Sequence, residues 1–294
     1  MNSVSLGWGP KYGSVLPAVA VFLALAVLPV ANLFFLSFME ISWTGGVMQR
    51  EFVGTENYRA LADDPLLKAG IVNTLILVVV ATSCQVALGF ALALGCSSLG
   101  TSSRTYRTLF ILPILIPGII IGAIWRLMYN FQFGIINQAL DVVGIPAIDW
   151  LGSPSLALAS VIVVDIWHWT PFSFLLLLAA VEGLPKDVSE AAKVDGATAW
   201  QEFRRVSLPL LWPAIFTTFV FRAVIAFKVF DEIFLLTSGG PGTATEVISF
   251  TIYQRFFLQD NPGYGSAISV TVIFSVALVI AIALQFRSRQ DVAR

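Results

Sequence analysis

Apolar positions along the chain gather into six long runs separated by shorter polar stretches: Val15 to Phe38, Ile71 to Cys96, Thr108 to about Tyr129, Ser155 to Ala180, Pro209 to about Leu236 and Ala267 to Phe286. A bilayer core takes about twenty apolar residues to cross as a helix, and each run reaches that length. The pattern predicts an all-α fold, a polytopic bundle of six transmembrane helices forming one membrane domain over residues 1–294. The first run is longer than the apolar core of a signal peptide and carries no small-x-small cleavage site, so it is expected to be a retained helix. Pro113 and Pro117 stand near the start of the third run and should bend or loosen that span. Gly89 and Gly95 in the second permit close helix packing. The loop Met39 to Lys68 is polar and mixed in charge, whereas Phe131 to Pro154 holds no Lys or Arg and two acids, Asp141 and Asp149.

One polar island departs from this alternation. It runs LPKDVSEAAKVDGATAWQEFRRVSLPLLWP, Leu184 to Pro213, where the fourth run gives way to the fifth. Asp187 and Glu190 have the spacing of a capping box, and Gly196 is placed to end the helix they start with a positive φ. Thr198 and Gln201 repeat the box. The island therefore predicts a helix, a tight glycine turn and a second helix, with Pro209 opening the next span. Ala191 and Ala192 leave one side of the first helix nearly bare, so another protein's surface could approach its backbone closely.

Composition agrees with a membrane protein and narrows the chemistry. Apolar residues make up 57% of the chain and charged residues 12%, against about 25% charged in a soluble domain. A formal net charge of −1 excludes a polybasic nucleic-acid binder. Cys84 and Cys96 share one apolar run and, about 18 Å apart on one helix, cannot bridge. Orientation follows from the loop cations. Lys11, Arg104, Arg107, Lys186, Lys193, Arg204, Arg205, Arg287, Arg289 and Arg294 fall on one side, and Arg50, Arg59, Lys68 and Arg255 on the other. The excess of cations marks the first side as cytoplasmic, with both termini and the island on it.

No G-x-x-x-x-G-K-[S/T] motif occurs, so the chain has no phosphate-cradling loop of its own. His168, the single histidine, has no neighbours resembling a triad or a zinc site. Ionisable residues inside the spans carry more information, because charge in hydrocarbon costs at least about 2.5–3.5 kcal/mol and usually faces the bundle interior or a wet cavity. Asp165, His168, Trp169 and Phe172 fall at i, i+3, i+4 and i+7, one helical stripe. Arg222 lies near the middle of the fifth run. Lys228, about 120° around the axis from Arg222, could reach Asp231 or Glu232 on the same helix. Two readings stand: the stripe and Arg222, with Trp125 and Arg126, line a translocation cavity whose rings stack on sugar faces, or Asp165 and Arg222 form an interhelical pair while the tryptophans anchor the interfaces.

Glu190-Ala191-Ala192, followed by Gly196 with Asp195, Ala197, Phe203, Pro209 and Pro213 in register, resembles the EAA loop of bacterial ABC-importer permeases. The competing reading of these residues is an amphipathic hairpin lying on the membrane surface. FVGTENYRALADDP in the first loop is similar to the extracytoplasmic segment of sugar permeases. FKVFDEIFLLTSGGPGTATEVISFTIYQRFF, Phe227 to Phe257, is similar to the fifth-helix end and outer loop of carbohydrate permeases of the maltose and glycerol-3-phosphate type. Its Gly239-Gly240-Pro241 turn would then face a binding protein.

The resemblance implies a type I importer permease fold in the bacterial cytoplasmic membrane, with Glu190, Ala191, Ala192, Asp195, Gly196, Ala197 and Phe203 in the ATPase-coupling loop. It implies a second, related permease, a cytoplasmic ATPase dimer that holds the ATP and Mg, an extracytoplasmic solute-binding protein and a sugar as cargo. This chain itself would carry no cofactor, metal or catalytic residue. A non-sugar solute is the alternative within that class. A secondary carrier or channel would use Asp165 and Arg222 but leave the EAA island idle, and a scaffold would leave uptake unchanged on deletion.

Overall fold

A computed structural model of the chain describes residue 13 and residues 15–44, 47–99 and 103–292. Lys11 and Arg294, two of the cations used for orientation, lie outside the described residues. In chain order the elements are α1 (Leu16–Leu36), an antiparallel pair β1 (Met39–Thr44) and β2 (Val47–Phe52), α2 (Glu56–Ala60), α3 (Pro65–Ser98), α4 (Ser103–Ile111), α5 (Gly118–Met128) and α6 (Ile135–Val142). They continue with α7 (Ala157–Glu182), α8 (Lys186–Val194), α9 (Ala199–Glu202), α10 (Leu208–Ala226), α11 (Asp231–Leu236), α12 (Ile248–Tyr253) and α13 (Pro262–Val292). Among the described residues, five helices are long and apolar enough to cross a bilayer, and the bent pair Arg104–Leu115 and Gly118–Met128 makes a sixth if counted as one span.

The chain divides into two compact units, one of residues up to 64 with 252–281, the other of 65–251 with 282–294. In the first unit, α1 is apolar around its whole circumference and buries no side chain within this chain. The loop after it, expected only to be polar, is partly strand, with Met39 paired to Phe52 and Thr44 to Val47. Asn57 holds the entry to the hairpin by donating from its amide to the carbonyls of Ser37 and Met39, both at 3.0 Å. The Asp64 carboxylate accepts from Arg255 at 2.7 Å and from the Tyr264 hydroxyl at 2.8 Å. These bonds fix the end of the first loop against the start of α13.

In the second unit α3 and α7 are the central pair. Gly89 is the point of closest approach, where a Cβ would lie 2.7 Å from the Phe174 nitrogen and 2.8 Å from Ser173 Cβ. Absence of a side chain there lets the two backbones meet, as small residues do in membrane helices generally. Val86, Ala93 and Cys96 then pack on Phe174, Leu177 and Leu178.

Two predicted spans are interrupted. At Pro117 the chain turns by 93° between Arg104–Leu115 and α5, the outcome the two prolines foreshadow. The fifth run, expected to be helical to Leu236, stops at Ala226, and Phe227 to Phe230 connect it to the separate α11. Lys228 therefore does not share a helix with Asp231 and Glu232, which corrects the expectation of a local pair. The cause is tertiary: α11 packs sideways onto α5, where a Cβ on Gly122 would sit 2.8 Å from that of Leu235 and Arg126 donates to the Leu235 carbonyl at 3.0 Å.

Candidate functional site

Two groups of residues emerge from this fold, one at the α7–α10 connection and one between the helices above it. The connection is the charged island. α8 begins at Lys186 with Pro185 as its N-cap and no side-chain cap, so the capping box expected from Asp187 and Glu190 is not formed. With Pro185 as N-cap the helix starts two residues earlier than an Asp187 cap would place it, and Asp187 lies inside the first turn, where its charge favours the positive end of the helix.

Gly196 does end the helix, at φ +77°. The Ala197 N–H reaches back to the Ala192 carbonyl at 3.0 Å and the Gly196 N–H to that of Lys193 at 3.1 Å, the two bonds of a Schellman stop. The second box is complete: the Gln201 N–H donates to the Thr198 hydroxyl at 3.3 Å, and the Gln201 side chain accepts from the Thr198 N–H at 2.9 Å. One wide turn, Phe203–Ser207 with π-type bonding, leads into α10, so the helical run enters the fifth span from Ala199 rather than opening at Pro209. Phe203 stacks on Phe90 of α3, ring centres 6.3 Å apart, and on Trp200 at 5.7 Å. Glu190, Ala191, Asp195 and Gly196 are exposed, Ala192 and Ala197 half-buried. Val194 is 87% and Trp200 65% exposed.

Above the hairpin the stripe on α7 meets α10 and α11. The Arg222 guanidinium, completely buried, donates from Nη2 to both oxygens of Asp165 at 2.8 and 2.6 Å. Gln85 of α3 donates to Asp165 Oδ2 and to its main-chain carbonyl, each at 2.8 Å. The Trp169 ring lies beneath the guanidinium, 4.9 Å from its carbon. His168 Nδ1 stands 2.9 Å from Glu232 Oε1. A buried pair of this kind is sustained by its geometry and extra hydrogen bonds, since removing one partner leaves an uncompensated charge.

Asp165, His168, Trp169 and Arg222 border a cavity of about 190 Å³ together with Gly118, Lys228, Asp231 and Glu232. Phe172 touches Trp169 edge-on at 6.2 Å without lining the cavity. Trp125 packs edge-on against Trp167, Arg126 caps α11, and neither borders it. The sequence pattern did not single out Gln85, which supports Asp165 from behind the cavity, and named Glu232 only as a possible partner of Lys228. An amide among apolar residues was the available signal for Gln85; nothing local marked Glu232 as the partner of a histidine 64 residues away.

The Gly239-Gly240-Pro241 turn is held rigidly. Gly239 and Gly242 take φ of +82° and +59°, and Ser238, just before Gly239, takes +50°. The Thr245 hydroxyl bridges the Gly240 carbonyl and the Thr237 hydroxyl, each at 2.7 Å, while the Asn73 amide donates to the carbonyls of Thr243 and Glu246 at 2.9 Å.

Comparison with known proteins places this geometry. Residues 85–294 match the family described as "Binding-protein-dependent transport system inner membrane component". The chain is 34% identical over 282 residues to the trehalose/maltose transport system permease protein MalF of Thermococcus litoralis, covering 95% of this chain and 94% of that one. It is 32% identical over 275 residues to the sulfoquinovosyl glycerol transport system permease protein SmoG of Agrobacterium fabrum, covering 94% and 89%. Its fold matches a chain in the crystal structure of a bacterial ABC transporter involved in the import of the acidic polysaccharide alginate, with a TM-score of 0.84 at 24% identity and 95% of each chain covered.

Proposed function

This chain belongs to the family of binding-protein-dependent transport system inner membrane components, and on that premise we propose that it carries a sugar or sugar derivative across the bacterial cytoplasmic membrane. In this reading it is one of two related permeases, and the α8–α9 hairpin is the cytoplasmic lever that docks on an ATPase dimer. An extracytoplasmic binding protein delivers the solute to the face that bears Gly239, Gly240 and Pro241. Both termini face the cytoplasm. ATP-driven closure of the ATPase dimer moves the hairpin, and the cavity turns between inward and outward access.

The observation that carries this is the hairpin itself. Its Schellman stop and complete capping box fix the turn between the two arms α7 and α10, so a push on the exposed face is delivered to both helices that border the cavity. Glu190 offers charge on that face, Ala191 and Ala192 allow close approach, and Phe203 anchors the second limb on α3. A sugar as cargo is supported by the relatives named for trehalose/maltose and sulfoquinovosyl glycerol, and by a cavity that sets an indole face beside hydrogen-bonding groups.

Reconstitution tests the reading. Purified from its host, the chain should bring down an ATPase and a second permease, and sugar-loaded binding protein should stimulate ATP hydrolysis by the complex. Solute uptake by the purified chain alone would overturn it. For the cavity, Asp165→Asn, Arg222→Ala and Trp169→Ala are the probes. If all three assemble and keep wild-type affinity and flux, the solute path lies elsewhere.

A further inference from the structure

The break between α10 and α11 places two charges where a continuous helix would not. Lys228 and Asp231 both reach the cavity wall and both are exposed. Neither has an ion-pair partner among the described residues. Asp231 is held at the start of α5, where its Oδ2 would lie 3.0 Å from a Cβ on Gly118. The other charges of the wall are already matched: Asp165 with Arg222 and Gln85, Glu232 with His168. Arg222, completely buried, still has Nε and Nη1 without partners.

We infer that Lys228 and Asp231 are specificity-determining residues that make the cavity select an uncharged polyhydroxylated solute against an acidic one, an inference that rests on reading the cavity as the solute path. Donors and acceptors on the wall decide the selection. Three carboxylates and two cations border the space, so the wall offers no surplus of positive charge to an anion. A hydroxyl can donate to Asp231 and accept from Lys228 or from a spare guanidinium N–H; a carboxylate or sulfonate only accepts. An anion would also stand among Asp165, Asp231 and Glu232 with Lys228 as its single unmatched cation, and like charges brought together in a poorly solvated space repel strongly. Acidic cargo, as in the relative named for sulfoquinovosyl glycerol, would need a wall of different charge.

Equilibrium binding to the complete transporter in lipid nanodiscs, with the binding protein omitted, tests this. The neutral probes are maltose, trehalose and methyl glucoside; the acidic probes are methyl glucuronide and digalacturonate. The wild type should bind at least one neutral probe tenfold or more tightly than either acidic probe. Asp231→Asn should narrow that ratio to threefold or less by strengthening acidic binding, and Lys228→Gln should widen it. Acidic probes that bind as tightly as neutral ones, or a ratio unmoved in both variants, would overturn the charge selection and leave the solute path standing. If no probe binds, and Trp169→Ala and Arg222→Ala leave transport unchanged, the cavity reading falls and this inference with it.

Discussion

The hairpin and the cavity are built by opposite means. Every bond that shapes the hairpin closes within five residues, from the Ala197–Ala192 stop to the Thr198–Gln201 box. The cavity is closed by contacts between residues 57, 64 and 80 positions apart. One is an exposed turn set by local hydrogen bonds, with Phe203 tying its second limb to α3, the other a buried charge arrangement that exists only when three long helices are assembled. Under the proposed lever reading, local specification would keep the docking face constant. The cavity, spread over separate elements, would be free to change as they shift.

The largest effect expected from this contrast is in the cavity. Asp165→Leu leaves the buried Arg222 guanidinium unpaired and should destabilise the complex by about 3–5 kcal/mol, whereas Asp165→Leu combined with Arg222→Met should recover most of that loss. Thermal unfolding of the purified complex measures both. A double variant as unstable as the single one would mean that the pair is not the interaction being broken.

Next in size is the packing that carries the cavity. Gly89→Val must push Phe174 and Ser173 away and should cost about 1–3 kcal/mol, read as a lowered unfolding midpoint. The same substitution at Gly95, where a Cβ meets open space, should change it far less.

In the hairpin, Gly196→Val forces a β-branched residue into φ +77° at a local cost of about 1–2 kcal/mol. The expected result is a stable membrane domain in a complex whose ATP hydrolysis is no longer matched by uptake, measured as solute moved per ATP. Normal coupling in that variant would break the lever model. The smallest pair of effects separates a cap that exists from one that does not. Thr198→Ala should weaken the second limb by about 1 kcal/mol, while Asp187→Ala, with no cap to lose, should stay within about 0.5 kcal/mol. Hydrogen exchange of the 186–207 amides reports both.

The same division explains what could be read from the residues in order. Six apolar runs and the glycine turn were legible because length and local chemistry encode them. The capping box at Asp187 does not form because the helix starts from Pro185, two residues before the cap that the Asp187–Glu190 spacing suggests. The hairpin of β1 and β2 was missed although Gly45-Gly46 stands between two six-residue runs, a recognised turn signal, since mixed polarity hid the alternation. Nothing in Phe227-Lys228-Val229-Phe230 contains a helix breaker. That interruption is dictated by how α11 lies on α5, information spread over more than a hundred residues. Asp165 and Arg222 stand out because charge is rare in apolar runs, whereas Gln85 is an uncharged amide whose contact with Asp165 is visible only in three dimensions.

The interrupted spans have an electrical side. A helix that stops and resumes leaves peptide N–H and C=O groups without in-helix partners, and such groups are tolerated inside a membrane protein only where protein or water satisfies them. Water that reaches them is also a conductor, and a plasma membrane that leaks protons loses the gradient on which the rest of the cell depends. At the break after Ala226 the Phe227, Lys228 and Val229 N–H groups are taken up by the Ala223, Ile225 and Ala226 carbonyls at 3.0–3.1 Å, so protein rather than water satisfies them there.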